Sequence, residues 1–434
     1  MPNRTQSRGH VAGLVDSAQQ QLAALHPRTV EDHNALCLYG DMLFQGIVGG
    51  TALNYLSVFI VRLGASTLLV GLLSSLPALL LTLASVPAGR YVARQPRLVP
   101  LVVRFSLLFD LVYLLVAAVP WVAPAFAAPA VVALWAAGAV ANAFLTVSFI
   151  AAMGEAVPPD RRASVISTRF AINACVAALT LQVTGQVLTR VSFPLNYQFV
   201  FAAAFLAALL SAYCLSRLHL PAQARPREAT TPSASLSGRW RALASTIRQE
   251  PAFFRYLAPS VVFRLGMNLP SALYSVFWVH VLHLSDSTIA LAVTTNYAFT
   301  FLGYFLWTRL ARIKGRAFIL AASCIGLSCY PLLTGLARDY VLILVVSALG
   351  GLFGSGVNLA FLDVLLAVSP KEGRANYVAL DTATANGMAF VGPLLGSVLD
   401  SAISIRPALF VAFAVRFLGG ALFALFPVRG RSHS

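Results

Sequence analysis

Twelve apolar stretches, each of roughly 20 residues or more, constrain this chain most, because that is the length a helix needs to cross a bilayer at about 1.5 Å per residue. They run over 34–60, 67–88, 98–120, 128–153, 163–187 and 193–216, then over 254–282, 287–309, 316–337, 340–368, 375–398 and 404–427. In hydrocarbon no water is available to pair a backbone amide, so segments of this length must be helices with their hydrogen bonds closed internally. With 58% hydrophobic and 11% charged residues, too few polar side chains remain to coat a soluble globule. The expected fold class is an all-α polytopic membrane protein, with six spans on each side of a central connection.

The formal charge of +16 is scattered between the apolar stretches rather than gathered on one domain, which argues against a nucleic-acid partner. Its distribution is an independent test of the segmentation. Connections on one face hold Arg90, Arg94 and Arg97; Arg161 and Arg162; the arginines from Arg217 to Arg255; Arg309, Arg312, Lys314 and Arg316; and Lys371 and Arg374. Connections on the other face hold Arg62, Arg190, Arg338 and Arg406. With the tails included, 23 of the 31 basic residues fall on the first face, 4 on the second and 4 within spans. Positive charge collects on the inner side of membranes, so both termini are expected in the cytoplasm and the chain in a bacterial inner membrane.

The organisation read from this pattern is a cytoplasmic tail over 1–33, a six-helix bundle over 34–216, a cytoplasmic linker over 217–253, a second bundle over 254–427 and a tail over 428–434. Residues 1–33 contain no apolar core followed by a small-residue cleavage site, so no removable signal peptide is expected. Within the Pro-, Ser- and Arg-rich linker, Leu236, Trp240, Leu243 and Ile247 share one helical face among Arg239, Arg241 and Arg248, the pattern of a basic amphipathic helix on the inner leaflet. Cys37, Cys175, Cys214, Cys324 and Cys329 form no CxxC pair, and packing is their expected role.

A chain of six plus six spans invites a search for internal duplication. The first span and the seventh share an outline in which Phe44 falls opposite Phe263, and Ser66-Thr67 opposite Ser287-Thr288. The entries to the fifth and eleventh spans match as VPPDRRASVISTR and VSPKEGRANYVALD, with Arg162 opposite Arg374 and Arg169 opposite Asp381.

After the second span stands GRYVARQPR, from Gly89 to Arg97, and the eleventh span carries GPLLG from Gly392 to Gly396. Here the chain resembles the major facilitator superfamily, whose second connection reads G-x-x-x-D-R-x-G-R and whose spans use a G-P-x-x-G element. Gly89, Arg94 and Arg97 match that connection; Ala93 stands where the family has Asp, and Glu155 is the candidate substitute. The resemblance implies two pseudo-symmetric six-helix bundles whose cytoplasmic ends are latched by these arginines in an outward-open state. Together with Arg162, Arg169, Arg374 and Asp381 they form the candidate cytoplasmic gate. The plainer alternative is that the arginines only set topology and that Arg169 and Asp381 cap their own helices. Small residues in GPLLG and in GGLFGSG, from Gly350 to Gly356, are expected to pack helices closely.

Ionisable groups inside spans cost roughly 2.5–3.5 kcal/mol each on insertion scales, so each one is a candidate. Asp41 in the first span, Asp110 in the third and Asp363 in the tenth are the proton-coupling candidates, Asp41 first and Asp110 second, with an end cap as the alternative for Asp41 and an ion pair with Arg104 or a neighbouring helix for Asp110. In the family this chain resembles, the first, fourth, seventh and tenth spans line the pathway. Gln45, Asn54, Tyr55, Asn142, Arg264, Asn268 and Asn358 are accordingly substrate-cavity candidates, joined by Asn296 and Tyr297 of the eighth span as residues expected to face the same cavity, with Arg264 free to hold an anion or to pair with Asp41.

No nucleotide-binding loop, dinucleotide fingerprint, HExxH or histidine cluster occurs, so no cofactor or metal is expected and an ion gradient must drive any uphill step. The expected function is that of a monomeric secondary transporter, moving a small molecule by alternating access with proton coupling, and exporting small amphipathic compounds. Uptake of a nutrient, or lipid flipping, are the alternatives on the same fold. A non-transporting sensor or a membrane-embedded enzyme are the alternatives of another class.

Overall fold

The computed structural model describes residues 29–220, 251–369 and 374–426, so the amphipathic stretch around Trp240 lies outside it. The described residues form twelve helices and no strand. In chain order they are α1 (Val30–Arg62), α2 (Thr67–Ala93), α3 (Val99–Val122), α4 (Ala127–Ala156), α5 (Pro159–Arg190) and α6 (Leu195–Ser216). After the linker come α7 in two pieces, α7a (Pro251–Asn268) and α7b (Ser271–Val276, continued by a π turn over Phe277–Val281), then α8 (Asp286–Lys314), α9 (Arg316–Leu336), α10 (Tyr340–Val368), α11 (Arg374–Ile403) and α12 (Ile405–Leu425). Ten of them are long and apolar enough to cross a membrane. The other two are the broken α7 and α11, whose first half is rich in polar residues. Large apolar side chains face outward along the helices, as Leu206 at 61%, Phe301 at 64% and Phe305 at 66% exposure show. Such a surface is stable only in lipid.

The helices pack as two copies of one pattern. In the first half α1 lies against α5 and α6, α2 against α4, and α3 against α4 and α6. In the second, α7a lies against α11 and α12, α8 against α10, and α9 against α10 and α12. The principal contacts between halves are α2 with α11 and α5 with α8, a pair that the same two-fold relation exchanges.

Local chemistry repeats with it. Ser66 caps α2 by accepting a hydrogen bond from Leu69 N, and Ser285 caps α8 by accepting one from Thr288 N. Two residues before each cap the chain turns through a positive φ, 84° at Gly64 and 49° at His283. Both separations equal that of Phe44 and Phe263, so the alignment of Ser66-Thr67 with Ser287-Thr288 was two residues too long. Ser285, not Ser287, caps the second helix. At the same separation, α1 carries a π turn over Gly49–Leu53 and α7 breaks before Pro270. Proline has no amide to give the preceding turn, and the π turn of α1 leaves extra backbone unpaired, so both first helices are distorted at one depth.

Close approach fixes the packing around these distortions. A Cβ on Gly50 of α1 would lie 2.6 Å from the Ala177 carbonyl of α5. In the second half the small residues sit on the partner helix: a Cβ on Gly392 would lie 2.6 Å from Asn268 Cβ, and one on Gly396 would collide with the Leu269 carbonyl. The GPLLG element therefore seats the break in α7.

Candidate functional site

Two buried ion pairs join corresponding helices of the two halves, α1 with α5 and α7a with α11, with their polarity reversed and Arg264 one turn beyond the counterpart of Asp41. Arg169 Nη2 on α5 donates to Asp41 Oδ2 on α1 at 2.9 Å, with side-chain exposures of 5% and 4%. Arg264 on α7a donates to both oxygens of Asp381 on α11, at 2.8 and 2.9 Å. Each guanidinium also lies over a phenylalanine ring, Arg169 over Phe149 of α4 at 4.7 Å and Arg264 over Phe361 of α10 at 4.9 Å. The surrounding hydrogen bonds are complete: Ser211 Oγ donates to Asp41 Oδ1, Gln45 Nε2 to Ser211 Oγ, and Tyr256 OH to Asp381 Oδ1. Desolvated charges are tolerated only when paired and hydrogen-bonded in this way.

These pairs correct two expectations. Arg264 is partnered by Asp381 rather than by Asp41, because both lie at one depth on adjacent helices of the second half. Arg169 and Asp381, candidates for a gate joining the halves, each find their counter-charge inside their own half.

Two recesses lie beside these elements. One, of about 350 Å3, is lined by Arg264, Asn268, Asn358 and Asp381. The other, of about 400 Å3, is lined by Asn54, Asn296, Tyr297 and Asn358 together with Tyr274, Trp278, Tyr330 and Arg416. Both include Met267, Val357 and Asn358, so they adjoin. Six of the nine cavity candidates line one or the other. Of the remaining three, Gln45 is turned to Ser211, Tyr55 donates to the Asp286 carbonyl, and Asn142 is half-buried on α4.

Side-chain bonds that cross between halves cluster at the face opposite the basic connections. Arg62 Nη2 lies 2.9 Å from Asp286 Oδ1, Tyr197 OH donates to the same oxygen at 2.8 Å, and Thr67 Oγ1 donates to Asp400 Oδ2. Deeper in, Gln182 Nε2 donates to Thr294 Oγ1 at 2.6 Å and Ser275 Oγ to Ser57 Oγ at 2.8 Å.

At the basic face, Arg94 and Arg97 are exposed and Gly89 has open space around it. Arg162 Nη2 donates to the Gly154 and Val157 carbonyls at the end of α4, Glu155 lines a recess beside Arg97, and Arg374 opens α11. Asp110 is buried, with Ser106 Oγ donating to it at 2.9 Å in place of the alternative ion pair with Arg104. Asp363 is half-exposed and 3.5 Å from Arg316.

Sequence reasoning passed over Arg62, Asp286 and Arg416. The first two sit in connections, where charge reads as topology. Arg416 lies in the middle of α12 with no acidic neighbour in sequence, and its partners are backbone carbonyls of other helices.

A family model described as Major Facilitator Superfamily matches residues 260–434. Multidrug resistance protein MdtG of Enterobacter lignolyticus (strain SCF1) is 33% identical over 138 residues, 31% of this chain and 32% of the relative. MdtG of Proteus mirabilis (strain HI4320) is 29% identical over 127 residues, 29% and 31% of the two chains. The match thus spans about a third of the length of these relatives. Among solved structures, a bacterial homolog to the human lysosomal transporter Spinster, inward-facing and unoccupied, has a TM-score of 0.68 at 13% identity, over 94% of this chain and 100% of that one. A D-xylose-proton symporter has a TM-score of 0.68 at 15% identity, over 92% and 99%. At such identity the likeness is one of fold.

Proposed function

We propose that the chain is a member of the major facilitator superfamily and a secondary active transporter, not an enzyme, which exports small amphipathic compounds by alternating access in exchange for protons. The observation that carries this reading is the polarity of the contacts between halves. They close the face opposite the basic connections, while recesses lined by amides, aromatic rings and the Arg264–Asp381 pair lie between and within the bundles. With the basic face in the cytoplasm of a bacterial inner membrane, the chain is closed outward, and residues 34–216 and 254–427 rock as two bodies tethered by the linker at 217–253. The relatives called multidrug resistance proteins support export, and the symporter among the structural likenesses supports proton coupling.

Asp381 is the first coupling carboxylate, because it lines a recess and its charge holds Arg264. A proton taken up from that recess would release Arg264 to the cavity. Asp41, sealed with Arg169, and Asp110, held by Ser106, follow it. Arg94, Arg97 and Glu155 would meet the second half when the cytoplasmic side closes.

The test is purified protein in liposomes loaded with a pH-sensitive dye and challenged with a library of amphipathic solutes, with Asp381→Asn, Asp41→Asn and Asp110→Asn in parallel. Solute-dependent proton movement lost in Asp381→Asn is the expected result. Solute movement without protons, unchanged in all three variants, would overturn proton coupling, and no solute movement at all would overturn transport.

A further inference from the structure

Arg416 is 3% exposed, near the middle of α12, and it lines the 400 Å3 recess. Its Nε, Nη1 and Nη2 donate to the carbonyls of Gly266, Leu327 and Met267 at 3.2, 3.2 and 2.9 Å. Those bonds explain its place. Pro270 and Pro331 supply no amide to the carbonyls four residues before them, Gly266 and Leu327, and the guanidinium replaces both missing donors. They do not explain its charge, since a carbonyl is a dipole and any neutral donor would serve it. Arg416 takes part in no ion pair among the described residues. A guanidinium has five N–H groups, so two remain beyond those given to the carbonyls, on the side of Tyr274.

Two further residues lining the same recess have unused donors. Tyr274 OH and Trp278 Nε1, one turn apart on α7, are buried atoms that donate no hydrogen bond, and the Tyr274 hydroxyl lies within the reach of the Arg416 guanidinium, from which it can only accept. Their rings stack with centroids 6.5 Å apart, and Tyr330 meets Tyr274 edge-on at 5.0 Å. Buried donors left unpaired cost free energy, as does an uncompensated charge, and one ligand relieves both.

We infer that this recess binds a small organic anion, its carboxylate or phosphonate held by Arg416, Tyr274 and Trp278 and its apolar body laid among the aromatic rings. That the anion is the cargo rests on the transporter reading; the binding site does not.

The experiment titrates the full-length protein in detergent by calorimetry with phenyl, cyclohexyl and 2-naphthyl bodies, each carrying a carboxylate, a carboxamide or a methylammonium group. At least one carboxylate should bind about tenfold or more tighter than its amide, with the ammonium weakest. Tyr274→Phe and Trp278→Phe should each lower that affinity about five- to thirtyfold. Tyr274→Phe, which removes only the hydroxyl, should leave the unfolding temperature unchanged or raised, while Trp278→Phe should also lower it by the volume it removes from the packed core. Arg416→Lys keeps the charge and should retain part of the preference. Equal affinity for all three head groups, absence of carboxylate binding, or an anion preference untouched by Tyr274→Phe would overturn the inference. The same compounds in dye-loaded liposomes separate the two readings. If ammonium compounds move protons and carboxylates do not bind, the anion site falls and transport stands. If carboxylates bind through these donors and nothing crosses, transport falls and the site stands.

Discussion

Arg169 on α5 meets Asp41 on α1 across 2.9 Å with both side chains buried, and the corresponding helices of the second half, α11 and α7a, set Asp381 against Arg264 with the signs exchanged. Either charge alone would be stranded. Asp41→Asn or Arg169→Gln should each lower stability by about 3–5 kcal/mol, the usual cost of removing one partner of a buried pair. The double variant should recover most of that loss. Thermal unfolding in detergent measures the cycle, and simple additivity of the two losses would show that the pair does not act as a unit.

The opposite face is held by Asp286, which receives Arg62 and Tyr197 on one oxygen. Asp286→Ala removes both acceptor contacts without touching the cavity. It should shift the equilibrium toward the state open on that face by about 1–3 kcal/mol, the range for hydrogen bonds to charged groups. Spin labels at Ser192 and Ala402, exposed ends of the two halves, should report a longer distance in the variant. An unchanged distance distribution would mean that helix packing alone closes this face.

The spans were legible because hydrocarbon leaves a helix no alternative to a long apolar run, and the duplicated turns were legible except for their register. Apolar residues are interchangeable at this resolution, so only the capping serines and the positive-φ turns at Gly64 and His283 place the repeat to the residue. Arg264 and Asp381 announced themselves as in-span charges, but their pairing did not, since a linear pattern does not say which helices adjoin. Arg416 gave less still. Its partners, Gly266 and Leu327, are carbonyls whose availability depends on prolines in two other helices.

Glycine positions separate packing from motion. Gly50→Ala would push Cβ to within 2.6 Å of the Ala177 carbonyl, and should cost stability by separating α1 from α5. Gly89→Ala and Gly387→Ala meet nothing within 4 Å. Both should be neutral or gain about 0.5–1 kcal/mol from helix propensity. Unfolding temperatures rank the three. If Gly89→Ala keeps its fold yet slows transport, Gly89 is used in the conformation closed at the basic face, as the latch requires; unimpaired transport would leave the connection a topology signal only.

Arg416 and Pro331 should be energetically coupled through one oxygen. Pro331 withholds the amide that Leu327 O would otherwise accept, and Arg416 Nη1 supplies a donor from α12 at 3.2 Å. In Arg416→Gln that carbonyl is stranded in the bundle interior, together with those of Gly266 and Met267. Pro331→Ala restores an in-helix donor to Leu327 O alone. The cost of Arg416→Gln should therefore be smaller in the Pro331→Ala background, by about 0.5–1.5 kcal/mol, the net worth of one hydrogen bond. A stability cycle over the four proteins measures it. Zero coupling would mean that the guanidinium is held for its charge and not for the carbonyl, which would strengthen the case for an anion in the recess it faces.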